Sequence, residues 1–247
     1  MSPLAQIVSR CGAVRNQGTP LTGYLPAMPR IHAFELQDQP WYPATLGDAG
    51  TAYLRTLSRL LGAERFLTPP IAGALKEAGV DRIVDLCSGA GGPVTDIART
   101  LREQGQPVAV VLSDLKPNTA ALAALADAPG VTVAPQPVDA AAVPAGMTGL
   151  RTLFNAFHHF DDDLALAVLQ DAVDAGQPIA IVELSERAPQ TVIGAALIPL
   201  MVCLVMPMVR PVRLHWLVLT YLLPILPLAI AWDCLLYTSD AADEVLG

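Results

Sequence analysis

Charge is scarce in this chain, and basic charge scarcer still. Only 15% of the 247 residues are charged, and 23 acids against 15 bases leave a net charge of −8. Neutralising phosphates takes a basic face, and none is evident in the sequence, which argues against a nucleic-acid partner. Cysteine is sparse too. Cys11, Cys87, Cys203 and Cys234 fall at no metal-ligand spacing and in regions not expected to meet as disulfides. That pattern predicts a reducing compartment and no metal centre. There is no Gly-Lys-Ser/Thr sequence, so a P-loop is excluded. Met1 to Val14 has neither a long apolar core nor a cleavage pattern, so no secretory signal is expected, and no internal repeat is visible.

What the chain does have is the stretch DRIVDLCSGAGGPVTDIARTL, Asp81 to Leu101. An apolar run, Arg82 to Leu86, contains an acid, Asp85, near its end and leads through small residues into a helix-patterned segment. Gly89, Gly91 and Gly92 give a turn without Cβ atoms, where backbone can approach a ligand and φ can go positive. Pro93 suits the first turn of the helix that follows. Taken alone, this is also what an ordinary glycine-rich strand-to-helix turn looks like.

The next segments extend the pattern. Pro107 to Leu112 is a continuous apolar run of the kind buried on both faces of a sheet, and it ends in Ser113 and Asp114. An acid here, 23 positions past Gly91, is placed to hold a ribose hydroxyl pair. Further runs at Val131–Val133, Leu150–Phe154 and Pro178–Leu184 alternate with alanine-rich helical stretches at Thr119–Asp127 and Leu164–Ala175. The alternation predicts an α/β fold with a doubly wound parallel sheet.

On these residues the chain resembles the class I S-adenosylmethionine-dependent methyltransferases. DLCSGAGG is similar to their D-x-G-x-G-x-G motif, with Asp85, Gly89 and Gly91 matching and Cys87 standing in place of the first glycine. The resemblance covers about Arg82 to Ser185. It implies a Rossmann-like methyltransferase fold that binds S-adenosylmethionine, with Asp114 at the ribose, Asp139 (in PVDA) near the adenine, and FNAFHHFDD beside the reactive methyl group. In that segment Asn155 and Phe157 are placed to orient the methionine end or the acceptor. A dinucleotide fingerprint, G-x-G-x-x-G/A, fails at its third point, because counting on from Gly89 and Gly91 reaches Val94. Pro93 also removes an N–H donor that a pyrophosphate would use.

Hydrophobic residues make up 53% of the chain, too many for an ordinary water-facing domain. The excess lies between Thr191 and Trp232, where Arg210 and Arg213 separate two uncharged segments of 19 residues each. Each reaches the roughly 17 to 25 residues needed to cross a bilayer, so an appended, membrane-associated hydrophobic helical hairpin is expected. Helices buried under the sheet are the alternative. Pro199, Pro207, Pro224 and Pro227 predict kinks. With the catalytic domain cytoplasmic, the two arginines would lie outside, against the positive-inside tendency, which favours a re-entrant or half-inserted hairpin over a spanning one.

The expected organisation is then an N-terminal helical or lid segment over 1–70, a nucleoside-binding core over 71–190, the hairpin over 191–233, and a tail over 234–247. In the first segment Gly18–Pro29 reads as irregular. The stretch Glu35–Leu61 is patterned with Leu54, Leu57, Leu60 and Leu61 on one side of a helix, and Trp41 and Tyr42 are either lid residues or ordinary packing. The tail CLLYTSDAADE, Cys234–Glu244, resembles a translated transposase sequencing adapter, and a further helix and final β-hairpin, normal in similar enzymes, are expected to be lost.

For chemistry, methyl transfer needs a nucleophile positioned in line, with a base if that nucleophile is protic. His158 and His159 are the candidate bases, each equally readable as a local cap, and Glu183 at the end of the fifth apolar run aims at the same edge. The hydrophobic segment favours a lipophilic or other small-molecule acceptor. A membrane-bound nucleoside-binding protein of the same fold without catalysis is the reading from a different class.

Overall fold

The computed structural model describes residues 36–37, 39–183 and 197–242. The readings of Met1–Val14 and Gly18–Pro29 lie outside the described residues.

Five strands form a single parallel sheet: β1 (Arg82–Leu86), β2 (Ala109–Leu112), β3 (Val131–Val133), β4 (Leu150–Phe154) and β5 (Ile179–Val182), in the order β3-β2-β1-β4-β5. The sequence runs at Pro107 and Pro178 start two residues and one residue early, since neither proline can donate to a ladder. The order reverses between β1 and β4, so the crevice at their carboxyl ends is the topological switch point where ligands of such sheets bind. The register aligns Asp85 with Leu112 on one side and Thr152 on the other.

Successive β1 residues serve opposite faces. Ile83 joins Val110 and Leu150 under the helices α2 (Ala63–Ala78) and α3 (Val94–Glu103), while Val84 and Leu86 join Leu153 and Val168 under α5 (Asp162–Asp174). A short α4 (Thr119–Ala123) precedes β3. Helix α3 forms because Val94, Ile97, Ala98 and Leu101 recur at helical spacing and are all buried. The Asp161 side chain caps α5 by accepting from the Leu164 amide at 2.8 Å. The boundary drawn at residue 70 falls inside α2, which is capped by Gly79.

Helix α1 (Ala44–Leu60) buries Leu46, Ala49, Ala52 and Tyr53, and of the leucines that the sequence sets on one side Leu57 is partly buried against the same cluster. Leu54, Leu60 and Leu61 are exposed. The reason is the C-terminal region, which packs on the other face of α1. There, α6 (Ile198–Val205), a 3₁₀ turn at Met206–Met208, α7 (Leu214–Leu217) running into a π turn at Val218–Leu222, and α8 (Ile225–Ala242) place Val202, Val205, Met206, Trp216, Leu226 and Ile230 against Leu46, Ala49 and Tyr53.

This region is not a hairpin of two continuous helices. It breaks at Pro207, Pro211 and Pro224, each of which lacks the N–H a helix would use. No single described helix is long and apolar enough to cross a membrane. Leu214–Leu222 and Ile225–Asp233 reach that length and apolarity only as a pair, bent by 80°. Outward-facing positions are nonetheless apolar: Leu200, Leu204 and Met208 along α6 and the turn after it, and Ile225, Leu228 and Trp232 along α8.

Candidate functional site

Because every strand is parallel, Cys87, Asp114, Asn155 and Glu183 all emerge at one edge of the sheet. The turn from β1 to α3 is fastened to β2 by Ser88 N donating to Ser113 O at 2.9 Å and Ser113 N donating to Asp85 O at 2.9 Å. Asp85 itself is buried. Its Oδ2 accepts from Ser88 Oγ and its Oδ1 from Thr152 Oγ1, both at 2.7 Å. Burial pushes its carboxyl up to about 7, with Asp114 nearby adding to the rise, against the opposing pull of the Ser88 and Thr152 hydroxyls. Asp85 thus fastens the turn from beneath.

Asp114 reaches the turn from the β2 side. Its Oδ2 accepts from the Gly89 amide and its Oδ1 from the Lys116 amide, each at 2.8 Å. A carboxylate offers about four lone-pair sites, so each oxygen can still take one more donor. That is the requirement for gripping a vicinal diol at this edge.

Gly89 (φ +53) and Gly91 (φ +88) both need the left-handed region, but their missing side chains make room for different neighbours. A Cβ at Gly89 would stand 3.2 Å from Thr51 Cγ2 of α1, and one at Gly91 would collide with Leu125. Gly91 therefore serves packing beneath the turn, whereas Gly89 serves the approach of α1 above it. Cys87 has φ +55, so the position where it departs from the D-x-G-x-G-x-G pattern is one whose backbone suits glycine. Burial pushes the Cys87 thiol up to about 12, helped by the Asp114, Asp85 and Asp139 carboxylates, so it is not a thiolate nucleophile at neutral pH.

Asp139 is exposed after β3, where its Oδ1 accepts from the Ala141 amide at 2.8 Å, and the neighbouring Val138 amide donates to Asp114 O at 3.0 Å. Asn155 follows β4 with φ +49, unusual for a residue with a side chain and here held by its amide donating to Val182 O at 2.9 Å. The chain then makes a 3₁₀ turn, Phe157–His159. Glu183 fixes that turn with both carboxylate oxygens: Oε1 accepts from the Phe157 amide at 2.9 Å, and Oε2 lies 2.7 Å from His158 Nδ1. The His158 and His159 rings lie with centroids 4.3 Å apart and planes tilted by 34°.

The structure thus gathers Asp85, Cys87, Gly89 and Asp114 at one turn. Asn155, His158 and His159 follow the adjacent strand on the same edge. Sequence reasoning missed Ser88 and Thr152 around Asp85, and Thr51 with Asn118 above Gly89, where Asn118 Nδ2 donates to Thr51 Oγ1 at 3.4 Å. The clue for Thr51 was available: Thr51, Arg55 and Arg59 form a polar stripe at four-residue spacing along α1.

Compared with family models, curated proteins and solved structures, the chain gives no match.

Proposed function

We propose that this chain binds S-adenosylmethionine at the turn between β1 and α3 and transfers its methyl group to a lipophilic, protic acceptor at a membrane surface. The observation that carries the reading is Asp114, tied to the Gly89 amide at the switch point with a lone pair left on each oxygen. When bound, the cofactor supplies an electrophilic methyl group on a sulfonium, with S-adenosylhomocysteine as product.

The chain's own residues have separable parts in this reading. Asp114 holds the ribose diol and Asp139 the adenine edge. Asn155 orients the methionine end or the acceptor. Glu183, by accepting from His158 Nδ1–H, selects the tautomer in which Nε2 is the basic nitrogen, and there the acceptor's proton is taken. The hydrophobic C-terminal helices support a lipophilic acceptor, because they pack on α1 and α1 touches the turn through Thr51. The outward leucines of those helices support membrane association, with the catalytic domain on the cytoplasmic side where the cofactor is found.

Two measurements test the proposal together: calorimetric titration with S-adenosylhomocysteine and with NAD, and transfer of labelled methyl into a lipid extract. Tight S-adenosylhomocysteine binding with label recovered in lipid is expected. Binding without transfer to any extract would reduce the chain to a nucleoside-binding protein, and a preference for NAD would replace the reading altogether.

A further inference from the structure

The described stretch 197–232 carries two positive charges, Arg210 and Arg213, and no acid, in a chain whose net charge is −8. Both arginines stand in the connector between the 3₁₀ turn Met206–Met208 and α7. Each is held by an uncharged neighbour. Arg210 Nη1 donates to Pro207 O at 3.0 Å, and the Arg213 guanidinium lies 4.7 Å from the centre of the buried Trp216 ring. Neither meets an acid among the described residues. A guanidinium has five N–H donors, so each keeps most of them for a ligand.

The surface around them is apolar. Leu200, Leu204 and Met208 recur every four residues, an exposed stripe that leads along α6 and the turn after it to the connector. The chain returns through α7 and the π turn, where Tyr221 ties the two segments together by donating to Cys203 O and Leu222 is again exposed. Val212 and Leu214, on either side of Arg213, are exposed as well. An exposed apolar face that ends in cations is what an interfacial membrane anchor needs: side chains that enter the acyl boundary, and charges that stay at the headgroups.

We propose that Arg210 and Arg213 dock on the headgroup phosphates of an anionic phospholipid surface, with Val212 and Leu214 entering the acyl boundary beside them. The inference rests on the membrane association proposed above and names the lipid chemistry that it requires. Charge complementarity selects this occupant. An acidic chain is repelled as a whole by an anionic surface, so contact needs a local patch of the opposite sign, and here that patch coincides with exposed apolar side chains. Arginine suits a phosphate because its planar fork meets two oxygens at once.

The test measures partition of the full chain, by flotation, onto phosphatidylcholine vesicles with and without phosphatidylglycerol. Wild type is expected to prefer the vesicles that contain phosphatidylglycerol. Arg210→Gln should lower that binding roughly fivefold, and the double variant with Arg213→Gln roughly 30-fold, while binding to phosphatidylcholine alone is unchanged. Arg210→Lys with Arg213→Lys keeps the charge and should retain most of the binding. Arg210 is exposed, so the single variant carries the test if loss of Arg213 over Trp216 unfolds the region. Arg65→Gln, at an exposed arginine of α2, is the control and should bind as wild type does. Equal binding of wild type to both vesicles, or a phosphatidylglycerol preference that survives in the double Gln variant, overturns the assignment and leaves membrane association standing. Glycerol 1-phosphate bound in calorimetry and lost in the double Gln variant, without a vesicle preference, reassigns the arginines to a free phosphate and overturns it. Self-association lost in that variant, without a vesicle preference, puts a second copy on this face and overturns it too. A wild-type chain that binds neither vesicle overturns membrane association as well.

Discussion

The Gly89 amide donates to Asp114 Oδ2 across 2.8 Å, so the turn after the first strand and the acid after the second form one unit. Removing the carboxylate removes a fastening of the turn and, on the proposed reading, the grip on the ribose diol. Asp114→Ala should weaken S-adenosylhomocysteine by about 1.5 to 3 kcal/mol, a loss calorimetry would read directly. Asp114→Asn, which keeps one acceptor oxygen for Gly89, should fall between the two. Unchanged affinity in a folded Asp114→Ala protein would remove this acid from the site.

Asp85 sets a pH dependence of stability. Its folded-state pKa is raised to about 7, so between the ordinary carboxylate range and pH 7 the folded chain keeps a proton that the unfolded chain has released. Stability from this group is therefore full at acid pH and falls as pH rises through that window, by at most about 1.4 kcal/mol per pH unit, then levels above pH 7. Urea unfolding of wild type and Asp85→Asn at several pH values should show this descending slope only in the wild type. Parallel profiles would mean that Asp85 is ionised in the fold.

Cys87 should be a slow thiol. With its pKa pushed up to about 12, native protein treated with iodoacetamide at pH 8 should carry little label at Cys87 by peptide mapping, and denatured protein should carry it fully. Cys87→Gly should leave ligand binding intact, since glycine accepts φ +55 without the roughly 1 kcal/mol a side chain costs there. Rapid native labelling would contradict the buried setting.

Much of this arrangement was legible in the chain, and the reason is local. Strands β1, β3 and β4 begin and end where the strand-patterned runs Arg82–Leu86, Val131–Val133 and Leu150–Phe154 do, and the continuous apolar stretches that hold β2 and β5 are the signature of parallel strands covered on both faces. Asp85, Gly89 and Asp114 were legible because acids at strand ends and glycines in a strand-to-helix turn are tied to their positions by backbone geometry. What could not be read depends on pairs far apart in sequence. Nothing local to Glu183 names His158, 25 residues earlier, as its partner, and nothing in Arg55 reports that Asp96 is already taken by Arg59. Nor does the leucine pattern of α1 name its buried side, because Ala49 and Tyr53 cluster with Trp216 and Leu226, whose position only the tertiary fold decides.

Glu183 and His158 make a catalytic prediction with a structural control. His158→Ala should lower methyl transfer by about 10² to 10⁴ with S-adenosylhomocysteine affinity retained, the range for a positioned base. Glu183→Gln should lower the rate less, because Gln can still accept from the Phe157 amide while no longer fixing the imidazole by charge. Heteronuclear NMR of the imidazole nitrogens should find the Nδ1–H tautomer in the wild type and a mixture in Glu183→Gln. His159→Ala should be the milder of the histidine variants. Equal rates in wild type, both single variants and the double variant would leave positioning alone as the mechanism and return both rings to a structural role.

The C-terminal helices need a test that spares the core, because Val202, Trp216 and Leu226 pack on α1 and deleting the region would strip Leu46 and Tyr53. Outward residues avoid that problem. Leu204 is 60% exposed, Leu222 75% and Leu228 62%, so replacing them with glutamate costs little internal packing. If these side chains enter a bilayer, each contributes apolar burial of about 1 kcal/mol or more, and a glutamate both forfeits that and meets repulsion from anionic headgroups. Triple substitution should then abolish co-sedimentation with vesicles while thermal unfolding of the protein is unchanged. The only charged residues in the described stretch 197–232 are Arg210 and Arg213, so raising salt should weaken binding to anionic vesicles more than to neutral ones. Wild-type protein that stays monomeric and ignores vesicles of either kind would show that this apolar surface faces water and that the acceptor reaches the site by another route.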